Sequence, residues 1–160
     1  MIMGETRFLY RDAELNALLT LLELRLPHFT PDEDSPAEDG LRMMLSTGLC
    51  EQKDDKLVID RITAFLMKTM GEAQRYCIAV GKDTYLGLFL GKYASVVFSE
   101  RRQYRIAEPF RTAREAVSAF QKLLGKKKQS LTFFVGTEDG PEREVSEADW
   151  RELLLNGIKE

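Results

Sequence analysis

Histidine and cysteine, which carry much of the chemistry of metal centres and of covalent catalysis, are scarce in this sequence. The 160 residues include one histidine, His28, and two cysteines, Cys50 and Cys77. Nucleophilic catalysis needs a base within hydrogen-bond reach of a Ser, Cys or Thr. His28 is the only imidazole and lies between a proline and a phenylalanine, where a structural or surface role is expected. We therefore predict no catalytic residues, no metal ion and no cofactor, and we expect the chain not to be an enzyme.

Loop motifs for phosphate or calcium are also missing. There is no Walker-type GK[ST] loop, and the glycines at 81, 87 and 91 are spaced through a strand and its turns instead of opening a helix. The acidic segment HFTPDEDSPAEDG lacks the ligand spacing of a calcium loop. Three consecutive lysines, Lys126 to Lys128, follow a predicted helix C-terminus, where they complement the helix dipole. These charges are predicted to be structural.

Excess charge of one sign and long apolar runs are absent as well. The formal net charge is −3, from 23 basic and 26 acidic side chains, so binding to nucleic acid would need a local basic patch. No apolar run approaches the roughly 20 residues that span a bilayer. The start MIMGETRFLY lacks the hydrophobic region of a signal peptide. We expect no membrane partner, a cytoplasmic location, and two buried thiols rather than a disulfide.

A single α+β domain over residues 1–160 is predicted, because chains of this length commonly form one core. Residues 1–72 form a helical segment with a small hairpin, and residues 73–160 form an antiparallel β-meander sheet with covering helices. The sheet is centred on RYCIAVGKDTYLGLFLGKYASVVFSERRQYRIA, residues 75–107, which predicts four strands joined by polar turns.

Helix signals flank this meander. In the N-terminal segment, Asp12 is a predicted N-cap of a leucine-rich helix that Pro27 ends, and Ser35, Pro36 and Glu38 form a capping box for a second helix that ends at Gly48. The hairpin LCEQKDDKLVI leads to a third helix, which Asp60 caps and Gly71 closes, with Ile62, Phe65, Leu66 and Met70 as its apolar residues. The C-terminal signals are a capping box at Thr112 and Glu115, a strand through Leu131, Phe133 and Val135, and a last helix capped by Ser146 and Asp149.

The alternation of side chains divides the meander into two faces. One face carries bulky residues and is predicted to be core: Tyr76, Ile78, Val80, Leu86, Leu88, Leu90, Val96, Phe98, Tyr104 and Ile106. The other face is semi-apolar and could be covered by a helix of this chain or by a partner. Tyr85, Phe89, Tyr93 and Val97 are the candidate partner-binding residues, because a row of exposed aromatics would dock an apolar helix. Burial under the chain's own helices is the alternative.

Three segments together resemble the EspG family, the cytosolic chaperones of bacterial type VII secretion. They are YRDAELNALLTLLELRLPHF, LRMMLSTGLCEQKDDKLVIDRITAFLMKTM and CIAVGKDTYLGLFLGKYASVVFSE, and the resemblance covers roughly residues 7 to 125. It implies a non-enzymatic chaperone or adaptor without a cofactor, which holds a secreted helical protein before export. EspG chains are longer and built from two related halves, so this sequence resembles a shortened, single-half version. A homodimer could supply the second half.

A winged-helix-like DNA-binding regulator is the alternative function, because two helices, a small hairpin and a third helix follow one another between residues 12 and 70. Recognition helices need basic and amide side chains toward the groove. The second predicted helix instead offers Glu38 and Asp39 against Arg42. The charges therefore favour a helical subdomain packed on the sheet, and no nucleic-acid partner is expected.

Overall fold

The computed structural model describes residues 7–30, 37–127 and 130–158. The predicted cap at Ser35 and Pro36, and Lys128 of the lysine run, lie outside these residues. Within them the chain forms an α+β fold, as predicted. The elements in chain order are β1 Phe8–Arg11, α1 Asp12–Leu21, α2 Ala37–Thr47, β2 Cys50–Lys53, β3 Lys56–Ile59, α3 Arg61–Gly71, β4 Arg75–Val80, β5 Tyr85–Leu90, β6 Ser95–Arg101, β7 Tyr104–Phe110, α4 Ala113–Gly125, β8 Thr132–Thr137, β9 Gly140–Val145 and α5 Trp150–Leu155.

Seven strands form one sheet in the order β1-β7-β6-β5-β4-β8-β9, and every neighbouring pair is antiparallel. The meander β4 to β7 supplies the middle of this sheet, and β1 and β8–β9 extend it on the two sides. The hairpin β2–β3 forms a separate two-stranded sheet, whose turn residues Asp54 and Asp55 both have positive φ. The strand prediction for residues 75–107 is thus confirmed.

Several of the predicted helix ends are where the sequence signals place them. Asp60 accepts a hydrogen bond from the backbone N–H of Thr63 at 3.1 Å, and Thr112 accepts one from Glu115 at 3.1 Å. The first helix differs: it begins at Asp12 itself, with Arg11 as the N-cap, and it ends at Leu21, well before the proline that was predicted to end it.

Both faces of the sheet are covered by helices of this chain. We call α1, α2 and α3 the first layer and α4 with α5 the second layer. The first layer packs against a cluster that contains Ile78, Phe89 and Phe98, and the second packs against a cluster that contains Leu88 and Val97. The semi-apolar face therefore has a cover within the chain.

The predicted assignment of the meander residues to the two faces of the sheet is wrong. The alternation predicted that Ile78, Leu88 and Phe98 share one face, but Leu88 lies on the opposite face from the other two. The cause is the four-residue turn between β4 and β5, which pairs Val80 with Tyr85. Because paired residues of antiparallel strands point to the same side, this turn exchanges odd and even positions. The turns before β6 and β7 each exchange odd and even positions again. The predicted core residues of β7, Tyr104 and Ile106, therefore lie on the face opposite to Ile78.

Close helix packing in the first layer depends on a glycine. A Cβ atom placed on Gly40 of α2 would lie 1.8 Å from the carbonyl oxygen of Ala13 in α1. No side chain fits at that distance, so the two helices approach backbone to backbone at this point. This contact fixes α2, and with it the hairpin that follows, against the rest of the layer.

The two cysteines are buried and free, which confirms the prediction of two buried thiols. Cys50 belongs to the cluster under the first layer, and Cys77 belongs to the cluster under the second. Burial raises the pKa of the Cys77 thiol well above its ordinary value, so this side chain stays protonated and inert. Across the described residues, no helix has the length and apolar character needed to cross a membrane.

Candidate protein-binding surface

The four predicted partner-binding residues do not form one exposed row. Phe89 is fully buried, Val97 is 2% exposed and Tyr85 is also buried, whereas Tyr93 is 76% exposed. Tyr85 and Phe89 face the first layer and Val97 faces the second, because the four-residue turn between β5 and β6 pairs odd positions with even ones. Three of the four residues are thus core, which was the alternative interpretation. Only Tyr93, in the turn between β5 and β6, is accessible to a partner.

Tyr85 has a further internal role. Its hydroxyl donates a hydrogen bond to the carbonyl oxygen of Pro27 at 2.6 Å, and its ring meets the ring of Phe29 edge-on with centroids 5.2 Å apart. Burial raises the pKa of Tyr85, so the hydroxyl remains a donor. These contacts hold the segment after α1 against the sheet.

Exposed apolar side chains concentrate elsewhere, in the first layer. Among the described residues the large exposed ones are Leu9, Leu21, Leu45, Leu57, Val58, Ile62, Phe65 and Tyr93. Five of these eight, from Leu45 to Phe65, belong to the continuous segment of α2, the hairpin and α3. Scattered exposed apolar residues are ordinary on a protein surface, but a concentration of them marks an interaction site.

Helix α3 presents two of these side chains although its opposite side is well packed. Leu66, Met67 and Met70 are buried against the sheet, whereas Ile62 is 53% exposed and Phe65 is 40% exposed. The sequence predicted Ile62, Phe65, Leu66 and Met70 as the apolar residues of this helix, without indicating which of them are covered. The apolar arc of α3 is in fact wider than the surface that the rest of the chain covers.

The turn that carries Tyr93 lies against the C-terminal half of α3. A Cβ atom on Gly91 would lie 2.7 Å from the Cγ2 atom of Thr69. Thr69 is one helical turn beyond Phe65 and donates a hydrogen bond to its carbonyl oxygen at 2.7 Å. Ile62 and Phe65 thus lie one turn apart on α3, and the turn that holds Tyr93 approaches the same helix one turn beyond Phe65. We call these three residues the apolar stripe.

Cations lie beside the apolar stripe. Arg61 and Lys68 are exposed on α3, next to the two apolar residues, and Lys92 precedes Tyr93 with its Nζ atom 5.4 Å from the centre of that ring. Among the described residues, none of these three cations forms an ion pair with a carboxylate. The nearest acids along α3 are at its two ends, Asp60, which caps the helix, and Glu72. The stripe is thus bordered by three cations and, at the ends of α3, two carboxylates, a small positive excess on a chain of net charge −3.

The hairpin continues the exposed apolar surface on the N-terminal side of α3. Leu57 and Val58 of β3 are exposed, while the neighbouring Ile59 packs against the core cluster of the first layer. The backbone N–H of Asp60 donates to the carbonyl oxygen of Leu49 at 2.8 Å, which closes the base of the hairpin. The hairpin is therefore anchored at its base and offers its outer residues to solvent.

The only imidazole is used in packing. The ring of His28 stacks on Phe134 with centroids 3.9 Å apart, and its Nε2 atom contacts a carboxylate oxygen of Glu142. The other oxygen of Glu142 accepts a hydrogen bond from the hydroxyl of Tyr76 at 2.5 Å. Burial, together with this acceptor, raises the pKa of Tyr76. The cluster joins the segment after α1 to strand β9, which agrees with the structural role expected for His28.

No group of three or more His, Cys, Asp or Glu side chains in the described part of the chain is arranged to hold a metal ion. A scan against protein-family models and a search of curated proteins both find no match for this chain. The EspG resemblance therefore stays a prediction from the sequence.

Proposed function

We propose that this chain is a non-enzymatic protein-binding domain of the EspG type, a chaperone or adaptor that holds a secreted helical protein in the cytoplasm before export. The observation that carries the proposal is the apolar stripe. Ile62, Phe65 and Tyr93 are exposed on a helix and turn that pack against the rest of the chain, so their exposed parts add little to the stability of the isolated chain. Such side chains stabilise a complex by leaving water when a partner covers them.

A helix is the partner element that fits this surface. A row of apolar side chains along one helix can bind a second, amphipathic helix, which packs its own apolar face against them. Fully burying a side chain such as Ile or Phe stabilises by about 1.5–3 kcal/mol, and Ile62 and Phe65 are already about half covered, so covering the stripe supports at most a weak complex once the costs of association are counted. A holding chaperone needs a complex of this kind, because its partner has to be released.

One of the two arguments for the predicted homodimer no longer holds. It was based on chain length and on the semi-apolar face of the sheet, and the residues assigned to that face are covered by the two helical layers of this chain. The DNA-binding alternative gains no support from α2, where Glu38 and Asp39 are exposed in the first turn.

Capture of partners from the native cell, followed by mass spectrometry, tests the proposal. Wild type is expected to recover a secreted helical protein, and Phe65→Asp is expected to lose it, because a charge in the stripe cannot be buried against an apolar helix. Leu9→Asp is the matched control, since Leu9 is 51% exposed on β1, outside the stripe. Circular dichroism should show that both variants stay folded. Equal recovery of the helical protein by all three chains would contradict the proposed site, and a salt-sensitive complex with duplex DNA would favour the alternative.

A further inference from the structure

The apolar stripe also carries information about the chemistry of its partner. We propose that it docks an amphipathic helix whose apolar face is flanked by carboxylates. This inference rests on the proposed function, since it concerns the same surface. It depends on three cations beside the stripe. Two of them, Arg61 and Lys68, belong to α3, and the third, Lys92, is distant from them in the sequence and belongs to the turn between β5 and β6.

The cations are placed where a docked helix would have its polar flanks. Arg61 precedes Ile62, Lys68 lies three residues after Phe65 on the same helix, and Lys92 precedes Tyr93. Residues three or four apart are neighbours on a helix surface, so charge borders the apolar residues on α3 itself. A helix with its apolar residues on the stripe would bring the residues beside its own apolar face near these cations. Carboxylates at those positions would be attracted, and lysines would be repelled.

The length of the surface sets the size of the partner element. Helix α3 has eleven residues, Arg61–Gly71, and so extends about 16 Å at 1.5 Å per residue. The turn with Tyr93 lengthens the surface beyond the helix end. A partner helix of about four turns would cover Ile62, Phe65 and Tyr93 and would still place charged residues at both sides.

A second copy of the chain fits this surface less well. In a two-fold dimer through the stripe, the same patch would face itself. Arg61, Lys68 and Lys92 of both chains would then enter one contact, where Asp60 and Glu72 at the ends of α3 offset only part of the repulsion. An anionic membrane is disfavoured as well, because the chain as a whole carries a net charge of −3 and the stripe offers only three cations.

The test uses fluorescent synthetic helices of about 18 residues with one apolar face of leucines. One peptide has Glu at the flanking positions, a second has Gln and a third has Lys. Fluorescence anisotropy at low salt is expected to show that the Glu peptide binds at least about tenfold more tightly than the Lys peptide, and added salt should reduce the difference. Lys68→Glu should remove this preference. Lys122→Glu is the control, because Lys122 is exposed on α4 in the second layer.

The failures of the two proposals can be told apart. If the three peptides bind equally and Phe65→Asp weakens all of them, the charge inference is wrong and the apolar docking surface remains. If Phe65→Asp leaves the binding of every peptide unchanged, the stripe is not the docking surface and both proposals fail. Two other results would also overturn the acidic helix: binding of phosphatidylserine vesicles that requires Phe65, or a dimer in solution that Phe65→Asp dissociates.

Discussion

The two helical layers that cover the sheet differ in how much of their apolar surface they leave in water. In the second layer, Val117, Phe120 and Leu124 of α4 are all buried, and the ring of Phe120 meets Trp150 of α5 edge-on with centroids 5.3 Å apart. Among the described residues, no large apolar side chain of α4 or α5 is exposed. In the first layer, α3 leaves Ile62 and Phe65 exposed beside its buried residues.

The proposed function would account for this difference between the layers. Each has amphipathic helices packed on the same sheet, so the need for a core explains the buried residues of both. It explains only the covered part of Ile62 and Phe65, which are 53% and 40% exposed. The surplus apolar surface of the first layer is better explained by recognition than by folding.

The largest expected effect on the free energy of unfolding comes from a substitution inside the second layer. Phe120→Ala removes a fully buried ring and leaves a cavity beside Trp150, so it should lower the free energy of unfolding by about 3–5 kcal/mol. Phe65→Ala makes the same chemical change in the first layer, where the ring is partly in water, and should cost less than half as much. Urea denaturation measures both. Similar losses for the two variants would contradict the contrast between the layers.

An intermediate effect concerns the attachment of the second layer. Arg75 of β4 donates to both carboxylate oxygens of Glu138, at 2.8 and 2.9 Å from Nε, and its Nη1 atom donates to the carbonyl oxygens of Leu154 and Asn156 at the end of α5. The guanidinium holds the pKa of Glu138 below its ordinary value. A carboxyl with a lowered folded pKa stabilises above the unfolded pKa, roughly 4.3, and this stabilisation is lost as the pH falls through the folded pKa.

Glu138→Gln should therefore flatten the acid side of the stability profile. Between about pH 6 and pH 3, the wild type is expected to lose more stability than the variant, because the variant has no carboxylate to protonate at this position. Thermal unfolding across that range gives the two profiles. Glu147→Gln, which removes an exposed carboxylate that takes part in no ion pair among the described residues, is the control. Parallel profiles for wild type and Glu138→Gln would show that the Arg75 pair contributes nothing.

The smallest effect on stability is expected in the stripe itself. Ile62→Ser removes an apolar side chain that is half in water, so the free energy of unfolding should change by no more than about 0.5 kcal/mol. The same variant should bind less of a hydrophobic dye than wild type, because it makes the exposed patch smaller. Leu9→Ser is the control for an isolated exposed leucine. A large loss of stability in Ile62→Ser would mean that the side chain packs against the chain more than its exposure indicates.

Local signals in the sequence predicted the elements well. Side-chain caps at Asp60 and Thr112, the positive φ of Gly48 and the polar turns of the meander act over a few residues, so they can be recognised without knowledge of the fold. The α+β class followed from the order of these elements. The limits of α1 were less well predicted, since nothing in the sequence marks Leu21 as its last residue.

The faces of the sheet were harder to predict, because they depend on how many residues each turn contains. Alternation was followed by residue number across the turns GKDT and GKYA, although each four-residue turn pairs an even position with an odd one. The turn lengths could have corrected this, and they would have separated Phe89 from Val97. The exposure of Ile62 and Phe65 had no such signal. Periodicity shows that a helix has an apolar face, but how much of that face is covered depends on the tertiary packing.

The outer strand β9 has a consequence for how a partner can bind. An edge strand exposes unpaired backbone groups and can accept an added strand from another chain. The sequence of β9, GPEREV, contains Pro141 and three charged residues, which are features that discourage such strand addition. At the other edge, β1 is only four residues long and is bordered by Arg7 and Arg11. With both edges of the seven-stranded sheet protected in this way, an extended segment has little to pair with on that sheet.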